Sequence, residues 1–479
     1  MRRTDQPFAF IDLFAGIGGF HIALGERWDG LGGRCVLTSE IDKDARRVYR
    51  EQFGMPTRGD VRAVLARHFG EAVAPQDELD DVLEGEGQLP QHDLLAAGFP
   101  CQPFSKSGRQ AGLEDQTRGT LFFDICQVLQ ERKPRFIVLE NVRNIAAHDG
   151  GRTWQVIVER LHELGYKVNS KPLVFSPHLL HPDLGGAPQF RERVFILGEH
   201  QDYGRSESLD WDFHIPNKPV GDWDPSRWDL RHWLKTHPAL EDDLTPYAFD
   251  EGRARYQHAL AWGELLAALP AGRVPQPLQV EGWRVIPELN GLPAWKQRHN
   301  ELNSEFYRKH RSMLDRWVAK HRPDTWIRSN QKFEWQAQDA DRERPEDIFE
   351  LQLQFRPSGL RVKKPTYTGA LVAITQTPYM GWLGRSLTPS EAASLQGVPV
   401  HDAEDPYRLH PVPAVAFKQL GNGVNAGVVR YLVRQLFEHC GFDGYHRSLL
   451  DLTDEPASVD LRPYEAQSSV GLDLTSEPH

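Results

Sequence analysis

The chain has 479 residues, 39% of them hydrophobic and 26% charged, so it is too long for one small module and too apolar for a disordered chain. No stretch approaches the roughly eighteen uninterrupted apolar residues of a membrane helix, and the four cysteines, without a CxxC pair, predict neither a disulfide framework nor a metal site. The net charge of -11 is unevenly distributed, so it does not by itself exclude a nucleic-acid partner.

Short β-rich apolar runs alternate with amphipathic stretches over the first two hundred residues. This alternation predicts an α/β fold built on a doubly wound, mostly parallel sheet. Strands are predicted over 8–14, 35–40, 93–97, 135–140 and 193–198. Helices are predicted over 19–27, 43–53, 120–132 and 153–164.

The alternation is lost after residue 198 and resumes at residue 383. We therefore predict a first part of the main domain over 1–199, a second domain of irregular or mixed structure over 200–382, and a return to the main domain over 383–440. Thr388 before Pro389 predicts a helix start, and a closing helix is expected over 426–439. Residues 441–479 form an acidic tail that we expect to be mobile.

Acidic residues are concentrated in two segments, 71–93 and 441–479, which carry -8 and -6 and leave +3 for the remainder. Residues 351–390 contain five basic residues and no acid, and 291–335 combine ten basic residues with seven aromatic ones. Basic and aromatic residues in this mixture are typical of a surface that binds phosphates and bases. A solvated helix face over core aromatics explains the second window equally well.

A glycine-rich turn follows the first predicted strand, with Gly16, Gly18 and Gly19 before a helix. Such a turn lets a ligand approach the backbone, and Glu40, at the end of the next strand, is placed to bind ribose hydroxyls. NAD-binding folds share this spacing, but His21 stands where the dinucleotide fingerprint needs a third glycine. Asp60 could accept from an adenine amino group or cap a helix.

The loop after the third predicted strand presents Cys101 between Pro100 and Pro103. The prolines stiffen the loop, and it lies at the carboxyl edge of a parallel sheet, where such folds bind ligands. Cys101 is therefore a candidate nucleophile, whereas Cys35 and Cys126 lie inside apolar elements and are expected to be inert.

Six segments, taken in order, resemble the motif set of the cytosine-C5 DNA methyltransferases. The resemblance covers about residues 1–200 and 383–440, and 200–380 corresponds to the variable target-recognition region of that family. The segments are Asp12-Leu-Phe-Ala-Gly-Ile-Gly-Gly, Gly98-Phe-Pro-Cys-Gln-Pro-Phe-Ser, Glu140-Asn-Val, Gln189-Phe-Arg-Glu-Arg, Arg385-Ser-Leu-Thr-Pro-Ser-Glu and Gln419-Leu-Gly-Asn-Gly-Val.

The resemblance implies how the reaction proceeds. The Cys101 thiolate adds to carbon 6 of a cytosine, and Glu140, holding a proton, donates to ring nitrogen 3, so a raised Glu140 pKa is expected. Arg191 and Arg193 are the cations implied near the base, with Arg193 the stronger candidate. The base that finally removes the proton from carbon 5 is assigned to no residue.

The implied methyl donor is S-adenosylmethionine. By resemblance, Phe14 and Ile41 pack on the two faces of its adenine, Glu40 binds the ribose and Asp60 takes the adenine amino group. The three glycines would approach the methionine part. The rest of the pocket is expected from Pro100, Leu121, Asn422 and Val424.

The implied partner is double-stranded DNA, from which the cytosine must be extruded. Loop 101–118 is predicted to close over the site and contact phosphate, and the region from 356 to 379 is predicted to read base edges. The resemblance further implies a bacterial, cytoplasmic and nucleoid-associated modification enzyme, paired in function with a restriction endonuclease without a stable complex. The predicted DNA-contacting residues are Ser105, Lys106, Arg109, Arg356, Arg361, Lys363 and Lys364.

Two other functions are compatible with the same fold. A tRNA cytosine methyltransferase would share the fold, but such enzymes carry a Cys-Phe-Thr motif in the recognition region, and no cysteine lies between Cys126 and Cys440. A catalytically inactive DNA-binding homologue would have no physical reason to keep Cys101, Glu140 and both arginines together. Neither the recognition sequence nor the oligomeric state follows from the chain.

Overall fold

The computed structural model describes residues 7–71, 88–100, 121–204, 211, 213–270, 274–280, 283, 291–337, 347–371 and 377–445. The described residues all belong to one compact unit. The domain boundaries predicted at 199 and 382 therefore lie within that unit and stay a prediction. Within these ranges, every helix is too short or too polar to cross a bilayer.

The main sheet has seven strands in the order β2-β1-β3-β4-β8-β5, with β6 also pairing with β8. The four strands β2, β1, β3 and β4 are parallel, and β8 runs antiparallel to its neighbours. The strands are β1 (Ala9–Leu13), β2 (Arg34–Ser39), β3 (Leu94–Gly98), β4 (Phe136–Val142), β5 (Tyr166–Val168), β6 (Leu173–Phe175) and β8 (Arg193–His200).

Helices cover both faces of this sheet, as the doubly wound prediction required. Every residue of β1 is buried because helices cover both of its faces. The last helix, α11, packs beside α1 and brings the end of the chain back to the first strand. The helices of this part are α1 (Gly19–Leu24), α2 (Lys43–Phe53), α3 (Val61–Phe69), α4 (Leu121–Arg132), α5 (Arg152–Glu163), α9 (Pro389–Ser394), α10 (Pro413–Asn422) and α11 (Ala426–His439).

The region between these parts is more regular than its composition indicates. It contains a second sheet of six strands in the order β15-β14-β11-β12-β10-β9, packed through its own apolar core against α7 and the 28-residue helix α8. The helices are α6 (Leu230–Thr236), α7 (Ala254–Ala268) and α8 (Ala294–His321). The strands are β9 (Leu278–Gln279), β10 (Lys332–Trp335), β11 (Gln352–Arg356), β12 (Gly359–Lys363), β14 (Tyr379–Met380) and β15 (Arg385–Ser386).

A two-stranded joint connects this region to the main domain. β13 (Thr368–Gly369) pairs in parallel with β7 (Gln189–Phe190), which directly precedes β8 of the main sheet. The joint therefore places the second sheet beside the segment that carries the predicted catalytic arginines.

Candidate functional site

The turn after β1 is built from left-handed backbone. Phe14, Gly16 and Gly18 have φ values of 58°, 54° and 85°. At the end of the neighbouring strand, the Glu40 carboxylate accepts from the backbone N–H of Gly16 and of Asp42, both at 2.8 Å. Glu40 thus fixes the turn with one oxygen and the start of α2 with the other, and its position is set before any ligand binds.

The three glycines of this turn have different surroundings. A Cβ at Gly18 would run into the ring of Phe53, and one at Gly19 would lie 2.7 Å from the Val424 side chain. Only beside Gly16 is there open space. Close packing therefore requires glycine at 18 and 19, which lets the C-terminal segment approach the turn, while Gly16 alone faces free volume. A role of Gly18 and Gly19 in cofactor binding stays a prediction.

The surface beside Glu40 exposes an aliphatic side chain. Ile41, the residue after Glu40, is 71% exposed. Asp60 caps α3 because its Oδ1 accepts from the backbone N–H of Arg62, which is the helix-cap alternative for this residue. Of the other predicted cofactor residues, Pro100 and Asn422 are exposed, Leu121 is half-buried and Val424 is buried.

Asp12 lies in β1, just before the turn, and the sequence predicts no role for it. Its carboxyl group is fully buried, and burial together with the nearby Glu40 raises the Asp12 pKa well above its usual range. Burial thus disfavours a second negative charge beside Glu40. A polar residue inside an otherwise apolar strand is the sequence signal for such a group.

Of the predicted catalytic residues, Glu140 lies where β3 and β4 end side by side. Gly98 is the register partner of Glu140, and a Cβ at Gly98 would lie 3.6 Å from the Glu140 carboxylate. The chain then continues through Phe99 and Pro100 to Cys101, which lies outside the described residues, as do Ser105, Lys106 and Arg109.

Glu140 is buried beside the guanidinium of Arg193. Its Oε1 lies 3.1 Å from Nε of Arg193, the first residue of β8. Burial raises the Glu140 pKa above its ordinary value, although the charges of Arg193 and Arg191 act in the opposite direction. The expected direction of this pKa shift is therefore found, and desolvation is its cause.

Arg191 does not share this position, and its predicted catalytic role stays a prediction. Its fully buried guanidinium donates to the backbone carbonyls of Leu371, Gly421 and Gly423. The structure thus gives Arg191 a positioning role, since it ties the end of β7 to the segment of Asn422 and Val424. The physical reason is the interruption between β7 and β8, which turns Arg191 away from the direction that Arg193 takes.

Comparison with known proteins now adds to this geometry. The sequence profile described as C-5 cytosine-specific DNA methylase matches residues 8–438. The type II methyltransferase M.AluI of Cellulosimicrobium cellulans is 35% identical over 533 aligned positions, which cover 95% of each chain. The type II methyltransferase M.HhaI of Haemophilus parahaemolyticus is 41% identical over 188 residues, 39% of this chain and 48% of that protein.

The chain belongs to the C-5 cytosine-specific DNA methylase family. Members of this family take their methyl group from S-adenosylmethionine. Among solved structures, a DNMT2 of Spodoptera frugiperda is 16% identical with a TM-score of 0.44 and covers 90% of this chain and 99% of its own.

In this methylase, Asn141 follows Glu140 in the same motif, and the sequence predicts no role for it. Its Nδ2 donates to the carbonyl of Phe99 at 2.9 Å, and its Oδ1 accepts from the backbone N–H of Val142. Asn141 therefore fixes the last described turn before the cysteine loop. An amide directly after a strand-end carboxylate is the only signal of this role in the sequence.

The predicted DNA-contacting residues of the second sheet fall into two environments. Arg356 and Arg361 both form ion pairs with Glu334 of β10, which the sequence analysis did not single out. Lys363 lies over the ring of Tyr367 at 5.0 Å, and Lys364 follows directly after β12. The methylase thus holds these cations on an ordered sheet.

Proposed function

We propose that this methylase transfers the methyl group of S-adenosylmethionine to carbon 5 of a cytosine swung out of a specific duplex site, through a transient bond to Cys101. The observation that carries the proposal is the buried Glu140, held by Arg193 at the edge of the sheet from which the Cys101 loop departs. Among the described residues, no group of acids, histidines and cysteines could hold a metal ion.

The proposed reaction uses Glu140 and Arg193 at this edge of the sheet together with Cys101. Carbon 5 of cytosine is a weak nucleophile, so the Cys101 thiolate first adds to carbon 6, and the electron pair displaced from the ring double bond makes carbon 5 nucleophilic. Negative charge develops on the ring, and a proton donated by Glu140 to nitrogen 3 neutralises it. Arg193 stabilises the Glu140 carboxylate that remains.

Bond breaking restores the ring. Carbon 5 takes the methyl group as the methyl–sulfonium bond breaks, and the donor sulfur leaves as a neutral thioether. A base then removes the proton on carbon 5, and the electrons of that C–H bond re-form the double bond as the bond between carbon 6 and the Cys101 sulfur breaks. The Cys101 thiolate is thereby regenerated, and Glu140 recovers its proton from nitrogen 3. No residue is assigned as the base.

The methyl donor, when bound, supplies an activated methyl group on a sulfonium. Glu40 would hold its ribose hydroxyls, since its carboxylate is already oriented by two backbone N–H groups. The exposed Ile41 would cover one face of the adenine, Phe14 the other, and the open side of Gly16 would receive the methionine part. This pocket lies on the same sheet edge as Glu140.

The DNA side of the proposal is a duplex held between the main sheet and the second sheet. A base must leave the duplex to reach Glu140, at a cost of a few kcal/mol. We further propose that the modified site protects DNA from a restriction enzyme of the same cell, without a stable complex between the two proteins.

The test is methylation of DNA by the purified chain. Bisulfite sequencing of DNA from cells that express the protein should show 5-methylcytosine in one short sequence context, and labelled donor should modify duplexes with that context. Glu140→Ala should lower the rate by 100-fold or more, in the range of about 10²–10⁴ for general acid catalysis. If tRNA became labelled and DNA remained unmethylated, the proposal would be overturned.

A further inference from the structure

The polar face of the second sheet contains a cluster of three charged side chains, which we call the Glu334 cluster: Glu334, Arg356 and Arg361. Glu334 Oε1 lies 2.5 Å from Nη2 of Arg356, and Oε2 lies 2.8 Å from Nε of Arg361. We propose that this cluster reads a guanine in the DNA target, with Arg361 as the base-contacting residue and Glu334 as the positioning residue.

The strand register explains why these side chains share a face. Glu334 of β10 is the register partner of Arg361 of β12, and Arg356 lies on β11 on the other side of β12. The alternate residues of the same strands, such as Phe333, Phe355 and Leu360, are buried in the core of this sheet. The charges therefore point away from the core.

The three members differ in what they leave available. The side chains of Glu334 and Arg356 are 14% and 17% exposed, whereas Arg361 is 28% exposed. Within the described part of the chain, the bond from Nε to Glu334 is the only hydrogen bond of the Arg361 side chain. Its two terminal nitrogens thus remain as a pair of parallel donors with a fixed direction.

A fixed pair of donors fits guanine better than phosphate. Guanine presents two acceptors, O6 and N7, to the major groove, and a guanidinium that binds both is the commonest specific contact in protein–DNA complexes. A phosphate would instead meet the negative charge of Glu334, which lies 2.8 Å from the same guanidinium. A neutral base edge is not repelled in this way.

The cluster also lies on a surface that continues to the catalytic edge. Beyond Arg361 on β12, Lys363 packs over Tyr367, whose ring stacks with that of Phe190 at 6.2 Å. Phe190 is 40% exposed and directly precedes Arg191, two residues before Arg193. A duplex whose cytosine reaches Glu140 would therefore lie along this face. The inference rests on the proposed function.

The test uses duplexes that carry the context found by bisulfite sequencing, with each guanine in turn replaced by 7-deazaguanine, which lacks N7. In the wild type, one replacement should lower the methylation rate roughly 3- to 10-fold because one hydrogen bond is lost. Arg361→Lys keeps the positive charge but loses the pair of parallel donors. It should therefore lower discrimination at that same base pair roughly 5- to 150-fold, and 7-deazaguanine at that position should no longer change its methylation rate.

Glu334→Gln should weaken discrimination at the same base pair because it frees Arg361 to rotate. The matched control is Glu163→Gln, which removes the partner of Arg160 on the main domain at a comparable distance of 2.7 Å and should leave discrimination unchanged.

Two results would overturn the inference while leaving the methylase activity established. One is a wild type that tolerates 7-deazaguanine at every position. The other is an Arg361→Lys enzyme whose rate falls equally on all duplexes, with a weaker dependence on salt, as a phosphate contact would give. A wild type that methylates no duplex would instead refute the proposed function.

Discussion

Asn141→Ala tests how the sheet edge positions the cysteine loop. Asn141 is 4% exposed, and its removal leaves the buried Phe99 carbonyl without its 2.9 Å donor. An unsatisfied buried acceptor costs about 1–3 kcal/mol, whereas the N–H of the exposed Val142 can turn to water at little cost. If this cost is relieved by movement of the loop, the lost positioning should lower kcat roughly 5- to 150-fold.

The assay is single-turnover transfer of labelled methyl groups to the identified duplex, together with DNA and donor affinities. We expect a lower kcat with nearly unchanged KM, because Asn141 is buried and acts on the loop through its bond to Phe99. Asn141→Asp is the matched variant: it keeps an acceptor for Val142 but cannot donate to Phe99 when ionised, so it should resemble Asn141→Ala. A normal kcat combined with lower thermal stability would refute the positioning role and leave a purely structural one.

Three further predictions concern stability and the pocket. Burial raises the Glu140 pKa, so the folded wild type loses stability as pH rises above the ordinary pKa of 4.5, and Glu140→Gln, which cannot ionise, should lose less stability than wild type over that rise in urea titrations. Gly427→Ala would run into the Gly185 carbonyl and should cost about 1–3 kcal/mol in the same titrations. Arg191→Met leaves the buried carbonyls of Leu371 and Gly421 without their donors, which should cost about 1–3 kcal/mol for each carbonyl and weaken binding of S-adenosylmethionine in calorimetry.

Local signals were sufficient for much of the main domain. Helix α2 was predicted over its observed residues because Asp42 caps its start and Gly54, with φ 63°, ends it. The helix start at Thr388 is confirmed by a complete capping box with Glu391. Helix α3 is absent from the predicted helices, although the helix-cap alternative for Asp60 is confirmed by the structure, where Asp60 caps that helix.

Long-range pairing was the part that the sequence could not show. β10 pairs with β12 across more than twenty residues of chain, and only this pairing brings Glu334 to Arg361. The different roles of Arg191 and Arg193 were equally hidden, because residues two apart would share a face in an uninterrupted strand. The Glu140 pKa could be anticipated from the chemistry, but its cause, burial at the β3–β4 edge, required the fold.

The proposed bond between Cys101 and the target base can be trapped directly. A duplex with 5-fluorocytosine at the methylated position cannot lose the group on carbon 5, so after methyl transfer the sulfur should stay attached to carbon 6. Mass spectrometry of the digested complex should then find the base on the peptide that contains Cys101, and Cys101→Ser should give no adduct. An adduct on another residue, or an undiminished adduct in Cys101→Ser, would contradict the account.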